Sequence, residues 1–490
     1  MPKDKILTRW FRSERLSLIV LLLLALSVRL YRVNNPVLDW HAFRQADTAS
    51  VTREYVRHGV DLLRPRYHDL SNIQSGQTNL EGWRMVELPL INGLLASLIR
   101  AVPSLPLVLV SRLASVTASL ATLVFLYLLV KLVTNSKTVA VLSGLFFALL
   151  PYSIYYSRVI LPEPFMLLTS TAAIYFLAAT TNLKKPVPSW QWWLSALLFS
   201  LALLIKPFIA FLIPVLLVFW WQTGPRRRWS PWWLVYWSVV ILPIWWWRDW
   251  ILQFPSGIPA SDWLFNGNGI RFRPAWFRWL FYERLSKLML GFGGVFLVTA
   301  GMILSSRRAK NLLWTWWASL LAYLSVFATG NVQHDYYQVI FVPWLSFCLG
   351  IGTWHTWRQL QLRLRGTRLI IGQVALVLLM LVGWLFSWQQ VAGWFNVNHW
   401  EYQRAGQAVD QLTPPDAKVI APAFGDTQFL FQTNRTGWPI GFTIDEKIAQ
   451  GATYYVTTSL DDEAHSLLKI YALVYRTDEF LILDLENKLP

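Results

Sequence analysis

Residues 121–170 read ATLVFLYLLVKLVTNSKTVAVLSGLFFALLPYSIYYSRVILPEPFMLLTS. One apolar run ends beside Lys131 and Lys137, a second follows, and a turn from Arg158 to Pro162 leads to a third that opens on Glu163. About 20 mostly apolar residues cross a bilayer, and loops on the cytoplasmic side carry the excess of Lys and Arg. The stretch therefore predicts membrane spans joined by a basic inner loop and an outer turn.

The same alternation runs outward in both directions. Eleven spans are predicted, at roughly 16–33, 107–133, 138–157, 163–181, 190–205, 207–222, 231–250, 285–305, 311–330, 338–356 and 369–390. Further basic loops hold Lys184 with Lys185, Arg226 through Arg228, Arg307 with Arg308 and Lys310, and Arg358 through Arg368. Lys3, Lys5, Arg9, Arg12 and Arg15 precede the first run, which puts the N-terminus inside. No small-residue cleavage site follows that run; Arg29 and Arg32 come instead, and the run reads as a retained anchor. Alternation then places loops 34–106 and 251–284 outside, and eleven spans put 391–490 outside as well.

Composition agrees. The chain is 55% hydrophobic and 14% charged, too apolar for a soluble protein of 490 residues. Thirty Trp suit interfacial belts, with Trp245–Trp247 and Trp316–Trp317 expected at helix ends. The net charge of +17 sits in the inner loops, where it suits anionic lipid and not nucleic acid. The single Cys348 lies in an apolar run and reads as a small buried hydrophobe. Gly291-Phe292-Gly293-Gly294 reads as a point of close helix packing.

The last hundred residues differ, with 13 acids against 7 bases and no spanning run. Short apolar strands at Lys418–Ala421, Tyr454–Thr457 and Phe480–Leu485 alternate with amphipathic stretches at Trp400–Leu412 and Asp462–Leu473. Thr413-Pro414-Pro415-Asp416 is a turn. The whole is a polytopic α-helical membrane domain, 1–390, carrying a small extracytoplasmic α/β domain, 391–490.

Of the 14 acids in residues 1–390, all but Asp4 and Glu14 fall on the outer side. Acids contribute little to orientation, so insertion alone does not require this skew. Asp39, His41, Arg44 and Asp47 lie within nine residues just after the first span. Such a set supplies a base and groups that orient it; the plain alternative is a solvated loop. A helix over Ala46–Val56 would place Asp47 near its start. Glu87 stands against Leu88 and Pro89 and needs a partner or a role there. Arg158 and Glu163 flank an outer turn, and Lys206 stands alone between two apolar runs. Such a Lys must reach water, pair, or bind an anion. His334, Asp335, Tyr336 and Tyr337 form a third outer turn, and Arg271, Arg273, Arg278 and Arg284 make loop 251–284 basic. Two carboxylates and a His also form a donor set for a divalent cation, although their spacing does not demand one.

These motifs resemble the GT-C glycosyltransferases, and within them the branch of the protein O-mannosyltransferases and the aminoarabinose transferases of lipid A. The resemblance rests on Arg44-Gln45-Ala46-Asp47-Thr48, Glu87-Leu88-Pro89-Leu90, Arg158 with Pro162-Glu163, Lys206-Pro207 and His334-Asp335-Tyr336-Tyr337. It implies a plasma-membrane enzyme that moves a sugar from a polyprenyl phosphate to a glycan, lipid or protein acceptor on the extracytoplasmic face, with inversion. It also implies Asp47 or Asp39 as acid/base, Glu87 as the second acid, and Lys206 as a contact to the donor phosphate. Three departures stand out, the first being Glu163 where many relatives have Asp. Relatives often pair two adjacent acids where this chain spaces Asp39 and Asp47 eight apart, and Leu88 replaces a Lys found after the Glu87-like residue. The competing reading is a transporter or flippase of a lipid-linked or anionic solute. Transporters put ionisable groups at mid-membrane and show repeats, and neither feature is visible here. A non-catalytic membrane scaffold is a further alternative.

Overall fold

The computed structural model describes residues 14–182, 188–223 and 225–490. The basic residues ahead of Glu14, and Lys184 with Lys185, lie outside that set. Each of the eleven apolar runs is helical where described, but several are broken. Leu150, before Pro151, takes ψ 119°, and Lys206, before Pro207, takes ψ 105°. Proline forces the preceding residue out of the helical region. Lys137–Leu149 is thereby separated from Pro151–Tyr156, and Trp190–Ile205 from the 3₁₀ turn Pro207–Leu212 and the helix Ile213–Gln222.

By length and composition, four stretches among the described residues suffice to cross a membrane: Leu107–Thr134, Glu163–Thr181, Asp335–Arg363 and a run within Gly366–Leu412. A fifth is added if Pro274–Met289 and Gly293–Leu304, bent by 102°, count as one. The apolar window of Asp335–Arg363 is 83% buried, whereas that of the last run is only 11% buried. Ile370, Ile371, Val374, Leu378, Leu381 and Leu385 are exposed along it. A helix with so apolar an outer face suits lipid rather than water.

The chain forms two compact units. The first holds residues up to Tyr31, Ala114–Trp246 and Ser261–Gly393. Its helices approach through glycine. A Cβ on Gly301 would stand 2.1 Å from the Cys348 carbonyl oxygen, and one on Gly352 would stand 1.9 Å from that of Leu297. Gly291 takes φ +50° against Gly383, so the Gly291–Gly294 stretch both packs closely and supplies the bend. Trp316 and Trp317 depart from expectation. They lie within the helix Arg307–Val326, where Trp316 is buried and Trp317 stacks on Trp344 at 4.8 Å. They pack the helix bundle instead of marking a helix end.

The second unit holds Arg32–Leu113, Trp247–Ala260 and Trp394–Pro490. A division at residue 390 therefore separates segments that pack together. The unit contains a five-stranded sheet in the order β2-β1-β3-β5-β4, with β1 Lys418–Ile420, β2 Thr436–Trp438, β3 Tyr454–Thr457, β4 Tyr471–Arg476 and β5 Leu481–Lys488. Strands β1, β2 and β3 are mutually parallel, and β5 runs antiparallel to β3 and β4. Alternate side chains bury both faces: Ile420, Tyr455 and Leu483 on one, Val419, Val456 and Ile482 on the other. Strand β4 occupies the end of the stretch expected to be amphipathic to Leu473. The helix there stops at Leu468, and the β-prone Tyr471-Ala-Leu-Val-Tyr475 follows.

The first loop adds to this sheet. The Gly437 amide donates to the His68 carbonyl at 2.9 Å, and the Leu70 amide donates to that of Gly437 at 2.8 Å. Leu70 also enters the core beneath the sheet. The loop is thereby fixed on both sides of Asp69 to the edge strand of the C-terminal domain.

Candidate active site

In the second unit the helix Ala42–His58 carries Arg44 and Asp47, with Asp39 and His41 just ahead of it. It begins earlier than Ala46, so Asp47 lies in its second turn and the helix dipole is not what holds it. Neighbours do. Arg84 pairs with Asp47 Oδ2 at 2.9 Å, Gln74 Nε2 donates to the same oxygen at 2.9 Å, and Thr427 Oγ1 donates to Oδ1 at 2.7 Å. Arg84 also bonds the Gln74 side-chain oxygen and lies over the Tyr67 ring, 4.9 Å from its centre. Both carboxylate oxygens thus have fixed directions, and the group is buried.

Asp39 is held differently. Arg112 pairs with it at 3.2 Å and also donates to the backbone carbonyls of Val33, Asn35 and Pro36; Gln45 Nε2 donates to Asp39 at 2.7 Å. Asp39 therefore neutralises a fully buried Arg that clamps the chain leaving the first helix. Glu87 has the partner its apolar neighbours demand, an ion pair with Arg44. It precedes the helix Leu90–Ala101, with Pro89 at the cap. His41 takes φ +55° at the start of its helix, its ring 5.0 Å from that of Trp40 and 5.9 Å from that of Phe43.

Among the described residues no group of three or more His, Cys, Asp or Glu side chains converges as metal ligands. Asp39 and Asp47 turn to different cations, and this donor set does not fit a shared divalent ion.

Next to Asp47, burial pushes the Asp69 carboxyl up to about 6, against a hydrogen bond from the Ser71 amide at 2.8 Å. Burial, then the Arg53 and Arg84 charges, push the His68 imidazole well below its usual range. Neutral His68 accepts at Nδ1 from Arg53 at 3.3 Å.

In the first unit, Lys206 is not alone. It pairs with Glu163 at 3.0 Å, and both are buried. Asp335 is buried and accepts from the Tyr156 hydroxyl and from Arg284 at 3.4 Å, while Tyr152 donates to its backbone carbonyl at 2.6 Å. His334 packs against Trp263, Tyr336 and Tyr337, with ring centres 5.3 to 5.6 Å apart. Arg158 is fully buried, its guanidinium 5.2 Å from the centre of the Tyr155 ring.

The sequence reading passed over Arg84, Gln74, Arg112 and Thr427. Arg84 stands three residues before Glu87, and an Arg so near a singled-out acid was a usable signal. Thr427, some 380 residues from Asp47, had none.

Comparison places this geometry. A family model described as dolichyl-phosphate-mannose-protein mannosyltransferase matches residues 91–261. The ArnT of Cupriavidus metallidurans, solved bound to undecaprenyl phosphate, superposes with a TM-score of 0.64 at 12% identity, covering 95% of this chain and 97% of that one. The chain has the GT-C fold. Two further structures show the same fold. The Archaeoglobus fulgidus oligosaccharyltransferase aligns with a TM-score of 0.58 at 11% identity, over 91% of this chain and 70% of its own. The mycobacterial arabinofuranosyltransferase AftD aligns at 0.59 and 15%, over 96% of this chain and 41% of its own. No curated protein sequence matches.

Two outcomes follow from these contacts. A carboxyl raised in the folded state stabilises it most below its unfolded value near ~4, and that contribution fades as pH rises through about 6. Asp69→Asn removes the effect, so its melting temperature relative to wild type should climb between pH 4 and pH 7; a gap independent of pH contradicts it. Lys206→Ala leaves Glu163 buried without its cation and should cost about 3–5 kcal/mol. Lys206→Met with Glu163→Gln should recover much of that in a thermal melt in detergent, and no recovery would show that Glu163 is not the partner that matters.

Proposed function

We propose that the chain is a polyprenyl-phosphate-sugar-dependent glycosyltransferase of the plasma membrane, with Asp47 as its base. The GT-C fold and the Asp47 geometry support this reading. A base must be aimed, and Asp47 is aimed by one cation and two neutral donors. Asp39 serves the chain by holding Arg112. Undecaprenyl phosphate bound to ArnT, and dolichol phosphate in the A. fulgidus enzyme, support a donor of that class.

In the reaction an acceptor hydroxyl oxygen attacks the anomeric carbon of the sugar. The new glycosidic bond forms as the bond from that carbon to the phosphate oxygen breaks, on the opposite face, and the configuration inverts. Asp47 takes the hydroxyl proton, and the polyprenyl phosphate leaves with the bonding electron pair. Lys206 and Arg158 are the cations assigned to the leaving charge, on the resemblance of Lys206-Pro207 and Arg158 to the family's motifs. Arg44 and Glu87 complete the first-loop set. The eleven-span topology, with the reaction on the extracytoplasmic face, belongs to the same reading.

Asp47→Asn keeps size and most hydrogen bonds but cannot take a proton. Transfer from a labelled polyprenyl-phosphate sugar should fall by roughly 10²–10⁴-fold with the protein still folded. Asp39→Asn should instead show its main loss in thermal stability. A folded Asp39→Asn protein without transfer, beside an active Asp47→Asn protein, would exchange the two roles.

A further inference from the structure

The C-terminal sheet has a feature that the reaction above does not use. Strand β1 leads through Ala421–Thr427 to the helix Gln428–Gln432, and β2 through Pro439–Thr443 to the helix Ile444–Ala449. Strand β3 leads through Thr458–Asp461 to the helix Asp462–Leu468. With the order β2-β1-β3, the connection from β1 goes to one side and that from β3 to the other. Their loops part at the carboxyl end of the sheet, and α/β sheets bind ligands in that crevice.

The residues placed there are unusual for a plain surface. Phe424 is fully exposed and has φ +53°. A bulky residue in that region is strained, and strain that returns no packing points to a task outside the fold. Asp426 is half-buried two residues on. Burial, then the neighbouring Asp47 charge, push its carboxyl up to about 6, while His399 and His41 act against the rise. The next residue, Thr427, bonds Asp47 at 2.7 Å, so the loop that carries Asp426 reaches the proposed base. Tyr402 stacks on His399 at 4.6 Å and on Phe429 at 4.5 Å. The crevice combines the exposed Phe424 ring with the half-buried Asp426 carboxyl.

We infer that the crevice between the β1 and β3 loops binds the acceptor, and that the acceptor is a saccharide. This rests on the transferase reading. A pyranose ring has a face of C–H groups and a rim of hydroxyls. Phe424 suits the first and Asp426 the second. A bare lipid surface would gain from Phe424 alone and would have to desolvate Asp426. Thr427 bonds Asp47 at 2.7 Å, so the segment that carries Asp426 also aims the base. The saccharide hydroxyl is thereby delivered beside Asp47.

The test uses the full chain in a detergent without a sugar headgroup. Saturation-transfer NMR is recorded with methyl α-D-mannopyranoside, methyl α-D-galactopyranoside and maltotriose as probes, and undecaprenyl phosphate binding is measured in parallel. At least one saccharide should receive saturation on its ring C–H protons. Phe424→Ala should weaken its affinity about three- to tenfold, the scale of one aromatic contact; Phe424→Tyr should retain it, and Asp426→Asn should weaken it. Saccharide binding that is absent, or unchanged in Phe424→Ala and Asp426→Asn, overturns the inference. So does a Phe424→Ala protein whose only change is weaker association with phosphatidylglycerol vesicles. Loss of undecaprenyl phosphate binding in the wild type with saccharide binding intact would instead count against the transferase reading.

Discussion

Asp47 accepts hydrogen bonds from Gln74 and Thr427 and pairs with Arg84. Through this one buried carboxylate, the helix Ala42–His58, the segment around Gln74 and Arg84 and the C-terminal domain are tied together. An unpaired buried charge is costly, so each of these segments is constrained to the position that keeps the network intact. The bridge of His68–Leu70 to Gly437 of β2 ties the first loop to the C-terminal domain a second time. The C-terminal domain is therefore part of the scaffold of the candidate site and not an appendage to the helices.

The same rule governs the first unit. Arg29 is fully buried on the first helix and donates to the carbonyls of Phe147 and Ala148 and to Ser119 and Ser153. Those carbonyls are left open where Leu150, bent by Pro151, ends the helix Lys137–Leu149, and an Arg near a helix C-terminus is the natural partner for them. Lys206 with Glu163, and Arg284 with Asp335, repeat the pattern. At the Pro151 and Pro207 breaks a buried cation is present, and in each case it has a partner.

Much of this was legible. Apolar runs, basic loops and prolines located the helices, because hydropathy and the pre-proline restriction act locally. Glu87 needed a partner and has Arg44; Lys206 needed one of three fates and has Glu163. What stayed hidden depended on distance in sequence. Nothing near Asp47 announces Thr427, and nothing near Asp39 announces Arg112. Span number was blurred for a different reason: Pro151 and the Gly291 bend turn continuous apolar runs into shorter helices, and mean hydropathy does not register a break. Strand β4 was hidden because Lys469-Ile470 marks the end of its preceding helix without Gly or Pro.

The account stands or falls on a single displacement at the anomeric carbon. Purified protein, a polyprenyl-phosphate sugar labelled with ¹³C at that carbon, and a native acceptor extract allow the step to be followed by NMR. The account predicts that free polyprenyl phosphate accumulates in step with a new glycoside of inverted configuration. A product that retains the donor's configuration, or donor left intact by an otherwise folded protein, would contradict it.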